Sequence, residues 1–291
     1  MNLPDRVVLV DKPQGVTSFD MVRRLRQGTR GRVGHAGTLD PFASGLLLLM
    51  TGKATRLSSL LMSLPKEYEM VVQFGAESTT GDPTGQIRPG GRPVAGAEVV
   101  RALDGFRGRL RQRVPLTSAV KIDGEPLYKR AHRGEDVETP EREVTVYDAV
   151  LTDFDVEGQR ASVLALVGKG TYMRVLAADL GKALGSQAYA ASLRRTRIGP
   201  FQVSRALGAQ ELHREALVRG GPGVMSPEEA LSFLPRLDVD DRLAQRVTNG
   251  NELRPFPEGR FRVHGPGGLL ALYEGRAGTG RPLVVFSPQP S

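Results

Sequence analysis

The apolar run Leu46-Leu47-Leu48-Leu49-Met50, entered from a Gly-, Ala- and Pro-rich turn and closed by Thr51-Gly52, constrains this chain more than any other segment. So short and so apolar a run reads as a fully buried strand. The turn before it, Gly34 to Gly45, holds a single carboxylate, Asp40. Gly34, Gly37 and Gly45 admit backbone turns closed to other residues, and Pro41 stiffens the step after Asp40. A rigid loop ending on a core strand suits a carboxylate that must hold one position. An ordinary tight turn, with Asp40 bonding local amides, fits the same residues equally well.

Around this segment the pattern is α+β. Val7 to Val10 reads as a short strand, followed by a turn over 11–16 and a helix capped by Thr17 or Ser18, with Met21, Val22 and Leu25 on its apolar face. A second helix opens at Thr55, with Leu57, Leu60, Leu61 and Leu64 at helical spacing. Tyr68, Met70, Val72 and Phe74 then share one face of a strand. Val99, Leu103 and Phe106 space another helix, two strand-like runs lie near 143–155 and 160–168, and Met173, Leu176, Leu180 and Leu184 mark a further helix. Strands outnumber helices without a regular βαβ alternation, so a mixed or antiparallel sheet is expected. The breaker cluster at 219–225 precedes Ser226-Pro227-Glu228-Glu229, an N-cap, a Pro at the first helical position and a capping-box Glu. That helix, ending near Leu234, closes a main domain over 1–236. The segment 237–291 reads as a small barrel-like unit of short strands, and at about 50 residues it needs the main domain to bury its core.

Composition narrows the chemistry. With no cysteine, disulfides, thiolate metal sites and a Cys nucleophile are all excluded, and four histidines without ligand spacing make a zinc site improbable. No cofactor is expected. A net charge of +8 points to a polyanionic partner, although the arginine, glycine, alanine and proline abundance also fits GC-rich coding. No apolar stretch approaches the roughly 18 residues of a membrane span, and no targeting pattern opens the chain, so a cytoplasmic location is expected.

The wording of several segments resembles the bacterial tRNA pseudouridine synthase B family. Gly34-His35-Ala36-Gly37-Thr38-Leu39-Asp40-Pro41-Phe42-Ala43-Ser44-Gly45 resembles its G-H-x-G-x-L-D-P-x-A-x-G motif, and Asp11-Lys12-Pro13-Gln14-Gly15-Val16-Thr17-Ser18 its first motif. Lys169-Gly170-Thr171-Tyr172-Met173-Arg174 resembles K-G-T-Y-x-R. Pro115 to Tyr128 matches P-x-x-S-A-x-K-x-x-G-x-x-x-Y, and Leu193-Arg194-Arg195-Thr196-Arg197-Ile198-Gly199 a further motif. Thr79-Thr80-Gly81-Asp82-Pro83-Thr84-Gly85 resembles T-D-T-G-D-x-x-G and departs from it at Thr79, commonly Asp in the family.

The resemblance implies a pseudouridine-synthase core that detaches uracil from C1′, turns it and rejoins it through C5, at uridine-55 of the tRNA T-loop. Asp40 would be the nucleophile, at C1′ or at uracil C6. Arg174 would pair with it, and Tyr68 would stack on the flipped uracil, a contact worth about 1–3 kcal/mol per base. His35 would fill the space left by the flipped base. Leu193 and Tyr172 would line the pocket, Asp82, Lys121 and Arg130 would meet RNA, and Arg194 or Arg195 would lie near phosphate. Taken without the resemblance, Arg174 is a solvated helix arginine, Tyr68 a core residue and Lys12 a surface lysine or phosphate contact. The basic segment within about 118–143 would be a thumb clamping the RNA stem-loop, and 237–291 a short PUA-like RNA-binding domain. The expected enzyme is metal-free and monomeric, with no obligatory protein partner. A guide-RNA-dependent synthase fits less well because of the thumb-like insertion. An RNA-binding tRNA-folding chaperone would need the basic surface but not Asp40. A glycoside hydrolase would need a second carboxylic acid that no residue near the Asp40 loop supplies.

Overall fold

The computed structural model describes residues 3–27, 30–118, 120–122, 124–133, 135 and 137–286. An 11-stranded sheet forms its centre, in the order Leu207–Gly208, Arg6–Lys12, Ser44–Thr51, Ala188–Ile198, Lys66–Phe74, Arg160–Val167, Glu141–Asp155 and Gly108–Arg113, with three short strands alongside. The sheet is mixed. Ser44–Thr51 runs parallel to Ala188–Ile198 and antiparallel to Arg6–Lys12.

The apolar run occupies a central position and is buried on both faces. Leu46, Leu48 and Met50 pack with Leu57, Leu60, Leu61 and Ile198, while Leu47 and Leu49 meet Met21, Val22 and Leu25 of the helix Ser18–Arg26. Thr17 caps that helix in a reciprocal capping box with Asp20. On the other half of the sheet, Tyr68, Met70, Val72 and Phe74 point together into a core covered by the helices Gly96–Gly105 and Met173–Ala183.

Two expectations of helix extent are corrected. The helix expected from Thr55 starts as a 3-10 turn at Gly52, becomes α-helical over Ser58–Ser63, and leaves Leu64 extended outside it. Pro65 accounts for that end, because its ring disfavours helical backbone in the residue before it. The helix expected to reach Leu234 is regular only over Pro227–Ala230, although its Ser226–Glu229 capping box forms.

A second, four-stranded sheet holds Arg236–Asp238, Gly259–Gly265, Gly268–Arg276 and Thr279–Val285, with the helix Asp241–Thr248 against it. Leu272, Val284 and Phe286 of this unit share a core with Val7, Leu46, Ala230 and Leu231 of the main sheet. The small unit therefore completes its burial on the large one, as its size requires.

Candidate active site

Two turns hold the Asp40 loop in place. Ser18, 2% exposed at the helix start, accepts the Leu39 N–H at 2.9 Å and donates to the Leu39 carbonyl at 3.1 Å. Gly15 N–H reaches the Pro41 carbonyl at 2.8 Å, and Asp40's own carbonyl accepts from Ala43 at 3.1 Å. The segment 11–18 is thus a clamp on the carboxylate loop. Lys12 belongs to that clamp and not to the surface: it is fully buried and donates to the carbonyls of Pro13 and Val16, both at 2.9 Å. Burial, with Arg195 nearby, brings its pKa down to about 8. At the loop's far end Gly45 has φ +105°, and a Cβ there would collide with the Arg195 backbone.

Arg174 meets Asp40 from the first turn of the helix Met173–Ala183. Its Nε donates to Asp40 Oδ2 at 2.9 Å, and its Nη1 donates to the Thr80 carbonyl and to Thr117 Oγ1, each at 2.7 Å. Asp82 Oδ2 stands 3.5 Å from the same Nη1. The guanidinium is 4% exposed, whereas the Asp40 side chain is 33% exposed, so the arginine is the fixed partner and the carboxylate faces outward. Among the described residues no donor reaches Asp40 Oδ1. One oxygen is held and the other is free.

Asp40 itself borders a cavity of about 620 Å³. Tyr68, Lys66, Leu193, Tyr172 and Arg195 contribute to its walls. Arg195 is 1% exposed; it donates to the carbonyls of Leu46 and Gly37 at 2.7 and 3.0 Å and to the Tyr68 hydroxyl at 3.4 Å, with its guanidinium 6.0 Å from the Tyr68 ring centre. So enclosed, this guanidinium braces the tyrosine rather than projecting from the surface. Arg194, on the opposite face, is engaged by Asp11 at 2.7 and 3.1 Å in the bidentate geometry that suits guanidinium and carboxylate.

Asp82, expected to meet RNA, lies within the protein beside Arg174. It is 5% exposed, and its Oδ1 accepts from Thr80 Oγ1 at 2.8 Å and Thr84 N–H at 2.9 Å, so it lies beneath Arg174 and not on the surface. His35 is half-buried on the strand Val33–Ala36 and is not among the residues that border the cavity; among the described residues its buried Nδ1 has no partner, and burial beside Arg195 holds its pKa below the ordinary imidazole value. Arg130 donates to Glu135 at 2.8 Å on the short helix Leu127–His132. The Lys121 side chain lies outside the described residues.

Sequence reasoning missed three contributors. Lys66 is 6% exposed, donates to the Leu64 carbonyl at 2.6 Å, and is brought down to about 8 by burial, with Arg195 and Lys169 adding to the effect. It stands two residues from Tyr68 on the same face of one strand, a period-2 signal that was legible. Thr117 and Gln112 carry no such signal, because their roles depend on partners distant in the chain. Among the described residues no cluster of three His, Asp or Glu side chains could hold a metal ion, and no helix is long and apolar enough to cross a membrane.

Residues 23–173 match the family described as TruB family pseudouridylate synthase (N terminal domain). A tRNA pseudouridine synthase B of Thermobifida fusca is 40% identical over 300 aligned positions, covering 98% of this chain and 99% of the relative. One from Geobacillus kaustophilus is 40% identical, covering 86% of this chain and 91% of the relative. Among solved structures, a chain of an H/ACA ribonucleoprotein bound to a substrate RNA containing 2′-deoxyuridine superposes with a TM-score of 0.71 at 23% identity, covering 97% of this chain and 85% of that one.

Proposed function

Since the chain belongs to the TruB family of pseudouridylate synthases, we propose that it isomerises uridine-55 in the T-loop of tRNA, with Asp40 as its nucleophile. The observation that carries this reading is the asymmetry of the Asp40 carboxylate. Oδ2 is held at 2.9 Å by a buried arginine, no donor among the described residues engages Oδ1, and the residue borders a cavity of about 620 Å³. A carboxylate attacks C1′ or uracil C6 only while ionised, and a fixed guanidinium keeps it charged and aimed.

The target nucleotide leaves its stack to reach the cavity, at a cost of about a few kcal/mol. Tyr68, its ring braced by Arg195, offers the flipped uracil a face, and Leu193 from the neighbouring strand borders the same cavity. Asp40 bonds to C1′ or to uracil C6, the C1′–N1 bond breaks, the base turns, a C1′–C5 bond forms, and the bond to Asp40 breaks to return the carboxylate. The C5 proton leaves to solvent and N1 gains one, so the product is an isomer. Arg174 balances the carboxylate's charge before it attacks and after it is released.

Affinity belongs to the same proposal. Arg and Lys meet phosphates, and selectivity comes from the folded loop. The insertion at about 118–143 acts as the RNA clamp, and the four-stranded unit from about residue 237 as a PUA-like domain. The chain works as a monomer in the cytoplasm with no obligatory protein partner.

The test is release of tritium from C5-labelled uridine in a tRNA transcript, run beside a transcript with cytidine at position 55 and labelled uridine elsewhere. Release from the first only supports the assignment. Binding of both transcripts with release from neither would leave a tRNA-folding chaperone as the better account.

A further inference from the structure

Gln112 is 2% exposed on the edge strand Gly108–Arg113, whose other side chains are mostly exposed. Its amide serves a single residue. Oε1 accepts the Tyr172 N–H at 2.9 Å, and Nε2 donates to the Tyr172 carbonyl at 3.3 Å. Two residues paired across an antiparallel ladder exchange bonds in this way, and here a side chain stands in for the second strand.

Tyr172 is the N-cap of the helix Met173–Ala183, extended at φ −96° and ψ 108°, and its own side chain caps no amide. Its carbonyl also accepts the Leu176 N–H at 3.0 Å, so the helix begins from the peptide that Gln112 holds. Arg174 is the second residue of that first turn, and its Nε is 2.9 Å from Asp40. Upstream the loop does little to fix Tyr172. Gly170 has φ +82°, and the Thr171 hydroxyl bonds back to Gly168 within the same loop at 3.1 Å.

We infer that Gln112 is a positioning residue for the isomerisation: its amide sets the start of the Met173 helix and thereby aims Arg174 at Asp40. This rests on Asp40 being the reacting carboxylate. An inward glutamine that merely filled space on an edge strand would be replaceable by any side chain of similar volume. A positioning amide needs both its donor and its acceptor.

Gln112→Leu and Gln112→Glu separate the two cases. Leucine keeps the volume and removes both bonds. A protonated glutamic acid offers one donor and one acceptor like the amide, whereas the ionised form only accepts and turns charge toward the Tyr172 carbonyl. Burial raises the introduced carboxyl's pKa toward the assay range. Single-turnover tritium release at saturating tRNA is measured for both variants from pH 5.5 to 8.5, a range set on the order of the expected shift, with each rate normalised to wild type at the same pH.

Gln112→Leu lowers the rate roughly ten- to a hundredfold, the loss that a displacement on the order of 1 Å produces at a reacting group. Its tRNA affinity stays near wild type, because affinity comes mainly from Arg and Lys meeting phosphates, which the substitution leaves in place. Gln112→Glu recovers activity as pH falls, and Gln112→Leu stays flat. Folded Gln112→Leu turning over at the wild-type rate overturns the inference, as does a Gln112→Glu rate independent of pH. If Gln112→Leu does not fold by circular dichroism, the Gln112→Glu profile decides alone. Absence of turnover by wild type is a different result: it removes the proposed reaction, and this inference with it.

Discussion

Replacing Arg174 by lysine keeps the charge and changes only its shape, so it isolates what the guanidinium contributes. The arginine donates in three directions: Nε to Asp40 at 2.9 Å, and Nη1 to the Thr80 carbonyl and Thr117 hydroxyl at 2.7 Å. A lysine ammonium is one point charge on a shorter reach, and from the helix it can serve the buried Asp82 or the outward Asp40 but not both. The Asp82 side chain is 7% exposed and that of Asp40 33%, so desolvation favours the Asp82 pairing and leaves Asp40 without its partner. A charge-assisted hydrogen bond is worth about 1.5–3 kcal/mol. With Asp40 one-third open to solvent, the lower part of that range applies, about 2 kcal/mol. If the contact is needed in the transition state, the chemical step slows roughly thirtyfold. The Thr80 carbonyl also loses its donor, and stability falls by about 1–3 kcal/mol. Single-turnover tritium release gives the first quantity and urea unfolding the second. A folded Arg174→Lys protein turning over within about threefold of wild type, under 1 kcal/mol on the rate scale, refutes the argument that guanidinium geometry matters here.

Other perturbations probe the surrounding shell. Tyr68→Phe keeps the ring and loses only a 3.4 Å contact from Arg195, whereas Tyr68→Leu removes the stacking face. The leucine variant therefore binds a T-loop more weakly by about 1–3 kcal/mol, while phenylalanine keeps the wild-type affinity, and filter binding compares them. Gly45→Ala forces a Cβ into the Arg195 backbone at φ +105° and lowers unfolding free energy by about 2 kcal/mol or more, read by denaturant titration. Lys66, lowered from 10.5 to about 8, gives a pH signature. Between those values the unfolded lysine still holds its proton after the folded one has released it, so stability rises with pH across that window. The gain approaches about 3 kcal/mol at its upper end, at 1.36 kcal/mol per pKa unit. Lys66→Met lacks that rise, so subtracting its stability curve from that of wild type isolates it; parallel curves for the two proteins contradict it.

Where the sequence was legible, one chain segment settled its own environment. Leu46 to Met50 is apolar at every position and fills both layers of the centre, and the alternation Tyr68, Met70, Val72, Phe74 marks a strand with one inward face. The strand Ala188–Ile198 was not foreseen, although it lies between those two. Arg194, Arg195 and Arg197 interrupt its alternation, and a central strand tolerates them because each guanidinium finds a partner from another part of the chain: Asp11, the Leu46 carbonyl and Glu67. Gly108–Arg113 was hidden likewise, its alternate arginines projecting outward from the sheet edge. The Asp40–Arg174 pairing came from motif resemblance and not from spacing. The burial of Lys12 and Asp82 was invisible, since both look like turn residues until the loops fold over them.

Asp40→Asn tests the central claim most directly. Asparagine keeps the size of the side chain and an oxygen for Arg174 while removing the nucleophilic charge. Tritium release from C5-labelled uridine in tRNA is followed for both proteins, with tRNA binding measured in parallel. The account predicts no release by Asp40→Asn over many wild-type turnovers, with binding retained. Release at the wild-type rate by the bound variant would contradict it, and Asp40 would then be a residue of the turn alone.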